Sequence, residues 1–527
     1  MRMIVRCRSM KTFHKISCYT LKLFAIGIFV ILFYYAFRYT QVIQPLAREL
    51  PVDQKDSLPW NGVILLCVLG LFLLLYHMQG KLTEKSEMCL EWGSIAFSML
   101  VVTAFTLWWI TCEDRSPHSD QLIVYGAASY FSEGIYDMLS PIGYFAIYPH
   151  QLGLAFLMQC LFGIVGPRNH LAYQLLNIVF INGIILFGNW ALRLMETKSL
   201  TRVFYCISMT LCIPLLTYSH WVYGEIPSIF FMMAAFVFLM KLDQTGRARY
   251  GILMVLSIGL TCLYRKNSYI FLIALVIAAT IQWITKKQYG RLIWILISIA
   301  FPVLLYLGIY AYYESISGTS FDSGIPTSSW IAMGMEDDPE LGPGWYNNVL
   351  NSYQELGYDA KAMDEISKRK IQERGTYFLK NPFVALDFYK RKVLSQWNEP
   401  MYESVFFGSR FADGYQLKSR LFQEIAYGKG YEILFWLADR MQTICMAGVL
   451  LYCIMMLHGQ TNLIRQVLLI TVVGGVLFSV IWEAKARYVF PYYVLMFPLF
   501  AMGYESIISW GIQKKKRNSS DKSEAEA

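Results

Sequence analysis

Apolar runs of bilayer length constrain this sequence more than any other feature. A helix needs roughly 17 to 25 residues to cross the hydrocarbon core of a membrane, and the sequence holds about twelve such runs. They lie at 21–40, 61–78, 93–112, 171–192, 202–219, 226–241, 250–264, 268–285, 291–312, 437–457, 466–482 and 488–511. Because 56% of the 527 residues are hydrophobic and 16% are charged, the apolar surface exceeds what soluble cores of this length bury. The sequence therefore predicts an all-α polytopic membrane protein with about 12 transmembrane helices.

A further apolar run, at 149–167 and bounded by two prolines, decides the sidedness of everything that follows it. Short cytoplasmic loops carry most of the Lys and Arg of a membrane protein. If this run is a re-entrant or interfacial helix and the N-terminus is cytoplasmic, the basic clusters at 193–202, 241–249, 286–291 and 514–522 all lie inside. We therefore expect a multi-pass protein of the cell (plasma) membrane with both termini in the cytoplasm. The excess of 46 Lys and Arg over 37 Asp and Glu then reflects topology and is no evidence for a nucleic-acid partner.

This topology divides the chain into five regions. They are an N-terminal tail with two additional transmembrane helices (1–92), a membrane core (93–312) whose first outer loop is 113–170, a large extracytoplasmic loop domain (313–432), the C-terminal transmembrane helices (433–511) and a disordered cytoplasmic tail (512–527). The large loop contains no cysteine, so no disulfide framework supports it. An amphipathic pattern at 359–374 and the capping pair Asn381-Pro382 predict two helices in this loop. The second helix carries apolar residues at helical spacing, namely Phe383, Leu386, Tyr389, Val393 and Trp397.

Charged residues gather at the predicted outer ends of the membrane helices, where ionisable groups are costly and are candidates for function. The candidates are Glu113, Asp114 and Asp120 in the first outer loop, then Glu225, the pair Arg265-Lys266, Lys392 and Arg487. A carboxylate at the membrane surface suits a general base, and Arg and Lys bind phosphate oxygens. Structural interpretations are also open. Asp120 could cap a helix, and Glu225 could be a solvated turn residue. Arg265 and Lys266 could be ordinary snorkelling side chains. Arg487 could form an i, i+4 ion pair with Glu483, four residues before it.

Metal and cofactor motifs are not apparent in the sequence. The histidines of the first outer loop, His118, His150 and His170, are too far apart for a zinc motif. The sequence also shows no phosphate-binding P-loop, dinucleotide-binding glycine motif or nucleic-acid module. We therefore expect no required cofactor and leave a divalent metal open.

The arrangement of these residues resembles the GT-C superfamily of polytopic glycosyltransferases, which includes protein O-mannosyltransferases and the bacterial aminoarabinose lipid A transferase. The resemblance rests on arrangement and covers most of residues 93–511. The matching elements, in chain order, are Asp120-Gln121, Ala127-Ala128, Gly134, the stretch from Tyr148 to Gly153, Glu225 in the sequence YGEIP, Arg265-Lys266, Pro382, Lys392, Trp397 and Arg487-Tyr488. The two additional helices at about 21–78 precede the catalytic loop here, which departs from the usual family pattern.

The resemblance implies an inverting glycosyltransferase that moves a sugar from a polyprenyl-phosphate donor in the bilayer to an extracytoplasmic acceptor in the cell envelope. Asp120 would be the general base, with Glu113 or Asp114 as alternatives, and Glu225 a second catalytic carboxylate. The donor phosphate would be bound by Arg265, Lys266, Lys392 and Arg487. If these cations stabilise the departing monophosphate, the reaction needs no metal.

Three other classes of protein fit twelve helices with a large outer loop. Polysaccharide polymerases and ligases that act on undecaprenyl-diphosphate glycans generally depend on Arg-rich outer loops, whereas the first outer loop here begins with carboxylates. A secondary transporter predicts an internal repeat and charges near the bilayer centre, and this sequence shows neither. A non-catalytic envelope scaffold is the third alternative.

Overall fold

The computed structural model describes residues 2–526, apart from 44–49, 114–116, 119, 322–323, 339–341, 407–418 and 459–461. The protein is about 80% helical, with almost no sheet. The helices are α1 (Arg2–Arg38), α2 (Leu58–Gln79), α3 (Glu84–Glu113), α4 (Asp120–Ser132), α5 (Tyr144–Ile147), α6 (Leu152–Val165), α7 (His170–Leu194), α8 (Ser199–Met209), α9 (Ile213–Thr217), α10 (Glu225–Thr245), α11 (Ala248–Tyr264), α12 (Tyr269–Thr285), α13 (Leu292–Ser317), α14 (Thr327–Met333), α15 (Val349–Glu355), α16 (Ala360–Lys380), α17 (Pro382–Trp397), α18 (Arg420–Ala426), α19 (Lys429–Met455), α20 (Val467–Ile481), α21 (Ala486–Leu495) and α22 (Phe497–Glu526). The strands form two short antiparallel pairs, β1 (Tyr39–Val42) with β2 (Val52–Lys55) and β3 (Asp337–Asp338) with β4 (Gly342–Pro343).

Nine helices in the described part of the chain are long and apolar enough to cross a membrane, and the number rises to 11 if each of two bent helix pairs is one span. The bent pairs are α8 with α9, at 54°, and α21 with the first part of α22, at 46°. They coincide with the runs expected at 202–219 and 488–511. The run expected at 250–264 is α11, a shorter apolar helix of 17 residues. These helices indicate a multi-pass membrane protein and confirm the helical fold class, while a total of twelve spans stays a prediction.

The two large loops lie at one end of the helix bundle, which we call the loop face. The backbone N–H of Ile325 donates to the carbonyl of Ile147 at 3.1 Å. This hydrogen bond joins segment 113–170 to segment 313–432. The two loops are therefore in direct contact at this point.

The apolar helix α6 is attached to this layer near both of its ends. Gln151, just before α6, donates to the Tyr223 hydroxyl. The N–H of Arg168, just after it, donates to the Ser129 hydroxyl of α4 at 3.1 Å. Both connections are to segments of the loop face, while a re-entrant or interfacial position of α6 stays a prediction.

A close backbone contact joins α19 to α22 through two glycines. A Cβ added at Gly503 would collide with the carbonyl oxygen of Gly448, and one added at Gly448 would lie 2.7 Å from Cβ of Phe500. Because lipid tails are as apolar as side chains, membrane helices associate through close packing, which small residues permit. The two glycines therefore make α19 and α22 direct neighbours.

The two additional N-terminal helices are tied to α19 by buried polar groups at the loop face. The Arg440 guanidinium pairs with Asp56 at 3.2 Å and with Asp439, and it donates to Asn61 of α2. Thr40, just after α1, donates to Asp56 at 2.8 Å and to Asp439 at 2.9 Å. Buried charges are stable only when paired and hydrogen-bonded. This network therefore sets where α1 and α2 lie against the C-terminal helices.

The two helices predicted in the large loop are present. Asp359 caps α16 by accepting hydrogen bonds from two N–H groups of its first turn, at 2.9 and 3.1 Å. The second helix, α17, follows Asn381 and begins at Pro382. At the other end of the chain, α22 continues to Glu526, through the segment that the sequence predicts to be disordered.

Candidate functional site

Four of the charged residues singled out in the sequence meet at the loop face. Arg487 Nη2 lies 3.5 Å from Asp120 Oδ2, and Arg487 Nε lies 3.7 Å from Glu225 Oε1. The Arg265 guanidinium contacts the same Glu225 oxygen. We call these four residues the charged cluster. They come from four separate stretches of the chain, and ionisable groups gathered at a membrane boundary are candidates for function.

Glu225 and Arg265 are brought together by a close backbone contact. Glu225 is the first residue of α10, and Gly224 before it packs directly on the carbonyl of Tyr264, where any added Cβ would collide. Tyr264 ends α11 and precedes Arg265. The side chains of Glu225 and Arg265 are only 1% and 9% exposed, so each charge depends on its partner. The glycine of the YGEIP sequence is therefore what permits the ion pair.

Arg487 is held at the site by the start of α21. The Glu403 carboxylate accepts hydrogen bonds from the N–H groups of Ala486 at 2.8 Å and Arg487 at 3.4 Å. An anion at this position is favoured by the free N–H groups and the dipole of the helix. The N–H of Glu403 donates in turn to the Glu399 carboxyl at 2.9 Å. Burial raises the pKa of Glu399 to about 8, so this group is mostly protonated at neutral pH.

Asp120 is the exposed member of the charged cluster. Its side chain is 49% exposed, whereas that of Arg487 is 7% exposed. Gln121 beside it accepts a hydrogen bond from the Val222 N–H at 2.9 Å, which anchors the start of α4 to the turn before α10. A carboxylate that is open on one side and paired on the other can accept a proton from a hydroxyl group without moving.

Aromatic rings surround the cluster. The rings at 5.3, 5.5 and 5.9 Å from the centre of the Arg487 guanidinium belong to Trp221, Tyr223 and Tyr488. These distances lie in the range of cation–π contacts. Burial raises the pKa of the Tyr144 and Tyr148 phenols, and the nearby charge of Asp120 adds to the effect. The charges therefore lie among flat apolar faces and hydroxyl groups.

Lys266 and His150 lie at the edge of the cluster. Lys266 follows Arg265 in the turn after α11 and is exposed. Burial, together with the charge of Lys266, lowers the pKa of His150 to about 4, and Asp120 opposes this shift. His150 is therefore neutral at physiological pH.

Lys392 is hydrogen-bonded to the protein backbone. Its ammonium donates to the carbonyls of Gly334 and Val480, and its side chain is fully buried. Burial lowers its pKa to about 7. These bonds tie α17 to the end of α20 and to the turn after α14, and the described contacts do not bring Lys392 to Arg265 or Arg487.

The structure places Asp120 beside Arg487. Glu113 is the last residue of α3, but its side chain and the whole of Asp114 lie outside the described part of the chain.

Two buried polar atoms of the cluster, Glu225 Oε2 and Arg487 Nε, have no hydrogen-bond partner in the described part of the chain. Buried polar groups are rarely left in this state. The hydrogen bonding of the charged cluster is therefore incomplete within the described part of the protein. In the described part of the chain, no group of three or more His, Cys, Asp or Glu side chains is placed so that it could hold a metal ion.

Several residues that build the site were missed by sequence reasoning. Glu403 stands 83 positions from Ala486, whose N–H it accepts, so no local pattern points to it. Tyr144, which was also missed, did carry a signal, because it lies four residues before Tyr148 at the entry to α6.

Comparison with protein-family models gives no match for this chain, and comparison with curated proteins gives none either. Function is therefore inferred from the geometry and chemistry of the site.

Proposed function

We propose that this protein is an integral membrane glycosyltransferase that moves a sugar from a polyprenyl-phosphate donor to an acceptor in the cell envelope. The observation that carries the proposal is the half-exposed Asp120 carboxylate held beside the buried Arg487 guanidinium at the ends of membrane helices. The GT-C resemblance supports it. In this proposal the protein lies in the plasma membrane with both termini in the cytoplasm and the loop face outside.

Asp120 acts as the general base. The acceptor hydroxyl transfers its proton to the Asp120 carboxylate while its oxygen attacks the anomeric carbon of the sugar. The bond between that carbon and the phosphate oxygen breaks, and its electron pair leaves with the lipid phosphate. Because the attack comes from the face opposite the leaving group, a single displacement inverts the anomeric configuration.

The cations stabilise the departing phosphate. Arg487, Arg265 and Lys266 offer guanidinium and ammonium donors to phosphate oxygens as their negative charge develops. The oriented N–H donors of these three side chains favour an anion over a neutral ligand. The partly exposed rings of Tyr144, Tyr148 and Tyr488 offer surfaces for the sugar ring, and the lipid chain lies among the membrane helices.

Glu225 has a positioning role in this proposal. The resemblance implies a second catalytic carboxylate here, yet its side chain is 1% exposed and contacts both Arg265 and Arg487. It therefore acts through the two guanidinium groups. Lys392, expected to bind phosphate, has a structural role in the proposal because its ammonium already donates to two backbone carbonyls.

Deletion and complementation in the native host test the proposal. Envelope glycans and glycolipids of a deletion strain are compared by mass spectrometry with those of strains that carry the wild type, Asp120→Asn or Asp137→Asn. Asp137 is a matched control because it is an exposed aspartate of the same loop. We expect a glycan to disappear on deletion, and to return with the wild type and Asp137→Asn but not with Asp120→Asn at equal protein levels.

The lipid product separates the proposal from its alternatives. Purified protein in proteoliposomes, supplied with lipid extracts that carry labelled sugars, should release polyprenyl monophosphate. Release of a diphosphate would instead indicate a polymerase or ligase, and movement of a solute without a covalent product would indicate a transporter. The same assay with EDTA tests whether a divalent metal is needed.

A further inference from the structure

An apolar corner protrudes from the large loop where α16 meets α17. Leu379, near the end of α16, is 86% exposed, and Phe383 and Leu386, in the first turns of α17, are 85% and 68% exposed. Tyr377 and Val384 beside them are exposed as well. A group of exposed apolar side chains outside the membrane spans marks a surface that interacts with something.

The other end of α17 is fixed to the membrane domain. Trp397 donates to the Ser479 hydroxyl at 2.9 Å, and Lys392 donates to the Val480 carbonyl at 2.9 Å. Both partners lie in the last turn of α20, which belongs to one of the helices able to span a membrane. The C-terminal half of α17 therefore lies at the loop-face end of that span.

The middle of α17 reaches the end of a second membrane helix. The Lys390 ammonium lies 5.7 Å from the centre of the Tyr35 ring, about one turn before α1 ends at Arg38. Contacts with the ends of both α20 and α1 place α17 along the membrane boundary. From Lys390 the helix continues back to Phe383 for about 10 Å more.

The exposed apolar residues share a side with Lys390. Phe383, Leu386 and Lys390 are three and four residues apart, which puts them on one side of the helix. On the adjoining side, Arg391 pairs with Asp337 at 2.7 Å and with Asp387 at 2.9 Å. The helix is therefore amphipathic. Its charged side is paired within the large loop, and its apolar side is the one on which Lys390 contacts Tyr35 near the end of α1.

We propose that Leu379, Phe383 and Leu386 insert into the lipid leaflet on the loop face. The occupant is lipid because the neighbouring surface of α1 presents exposed apolar residues such as Ile31 and Tyr34, so the corner continues a lipid-facing surface. Exposed Lys380 and Lys390 at its flanks suit lipid phosphates, as in helices that lie in a membrane interface. This anchor holds the large loop against the bilayer and is independent of the proposed reaction.

Photocrosslinking of the full-length protein in lipid nanodiscs tests the anchor. The photoreactive residue p-benzoylphenylalanine replaces Phe383 in one variant and Leu386 in a second, and replaces Lys361 in a control. Lys361 is exposed at the far end of α16, about 27 Å along the helix from Leu379. After irradiation, mass spectrometry identifies what is attached to each position.

We expect lipid adducts at positions 383 and 386, at least tenfold more abundant than at position 361. Cross-links to a second protein chain would show that the corner is an interface between copies. Adducts at neither position, in protein that carries the probe and elutes as a single species, would show that it faces water. Either result overturns the proposal.

Discussion

Nη2 of Arg487 lies 3.5 Å from Oδ2 of Asp120, while Nε of the same guanidinium lies 3.7 Å from Oε1 of Glu225. The buried, planar guanidinium of Arg487 thus faces the exposed Asp120 carboxylate with Nη2 and the buried Glu225 carboxylate with Nε. A lysine ammonium is a point charge on a flexible stem and cannot reproduce this arrangement. The geometry of the cluster therefore requires arginine and not merely a positive charge.

Replacing Arg487 with lysine should lower the transfer rate about 100-fold, the effect typical of losing one oriented donor to a developing negative charge. Initial rates with labelled lipid-linked sugar measure this. Arg391→Lys is the control, because Arg391 also bridges two carboxylates but lies in the large loop. A rate within threefold of wild type for Arg487→Lys would remove Arg487 from the proposed phosphate site.

Glu403→Ala should weaken the start of α21 by about 1 kcal/mol, as loss of a helix cap does. The substitution should reduce activity more than this loss of stability implies, because the Glu403 carboxylate accepts a hydrogen bond from the N–H of Arg487 itself. We expect a raised KM for the lipid donor. Glu403→Gln should recover much of the donor affinity, because its amide oxygen still accepts a hydrogen bond. Equal defects in both variants would contradict this role.

Glu399 should make the stability of the protein depend on pH. Its pKa is raised by burial from 4.5 to about 8, so between these values the folded protein binds a proton that the unfolded chain has released. The contribution of Glu399 is therefore complete below about pH 4.5 and is lost as pH rises through about 8. The Tm of Glu399→Gln should improve relative to wild type as the pH is raised from 5 to 8.5. A constant difference in Tm across that range would show that Glu399 keeps the same charge in both states.

Gly503→Val should prevent α19 and α22 from packing. The side chain has no space because even a Cβ would collide with the Gly448 carbonyl, and overpacking of a rigid contact costs about 1–3 kcal/mol or more. We expect a lower Tm or loss of the monodisperse protein in gel filtration. Gly511→Ala on the same helix is the control, since an added Cβ there meets nothing within 4 Å. Normal behaviour of Gly503→Val would show that the two helices are not in backbone contact.

The helices of the large loop were predictable because their signals are local. The Asp359 cap and the Asn381-Pro382 start are read from neighbouring residues, and the apolar spacing that follows them identifies a helix wherever it lies. The gathering of Asp120, Glu225, Arg265 and Arg487 at one end was predictable from topology alone. Which of them touch was not, because an i, i+4 partner for Arg487 within its own segment fitted the sequence equally well.

Lys392 and Arg487 also show that the sequence does not reveal which groups a charged side chain contacts. In the sequence both are basic residues near predicted outer ends of helices, and both were assigned to the donor phosphate. In the structure Lys392 lies among backbone carbonyls, whereas Arg487 lies among carboxylates and aromatic rings. The difference depends on segments more than 50 positions away, such as those of Gly334 and Val480 for Lys392, which no local pattern records.

A helical, multi-pass protein follows from the amino-acid sequence, because the length and hydropathy of each run act locally and a bilayer admits few other solutions. Which charges form the site depends on contacts between distant segments, and these are visible only in the folded protein. Gly224 against Tyr264 brings Glu225 to Arg265, and Glu403 at the start of α21 brings Arg487 to both carboxylates. Backbone contact at these two points, more than charge itself, turns scattered ionisable residues into one cluster.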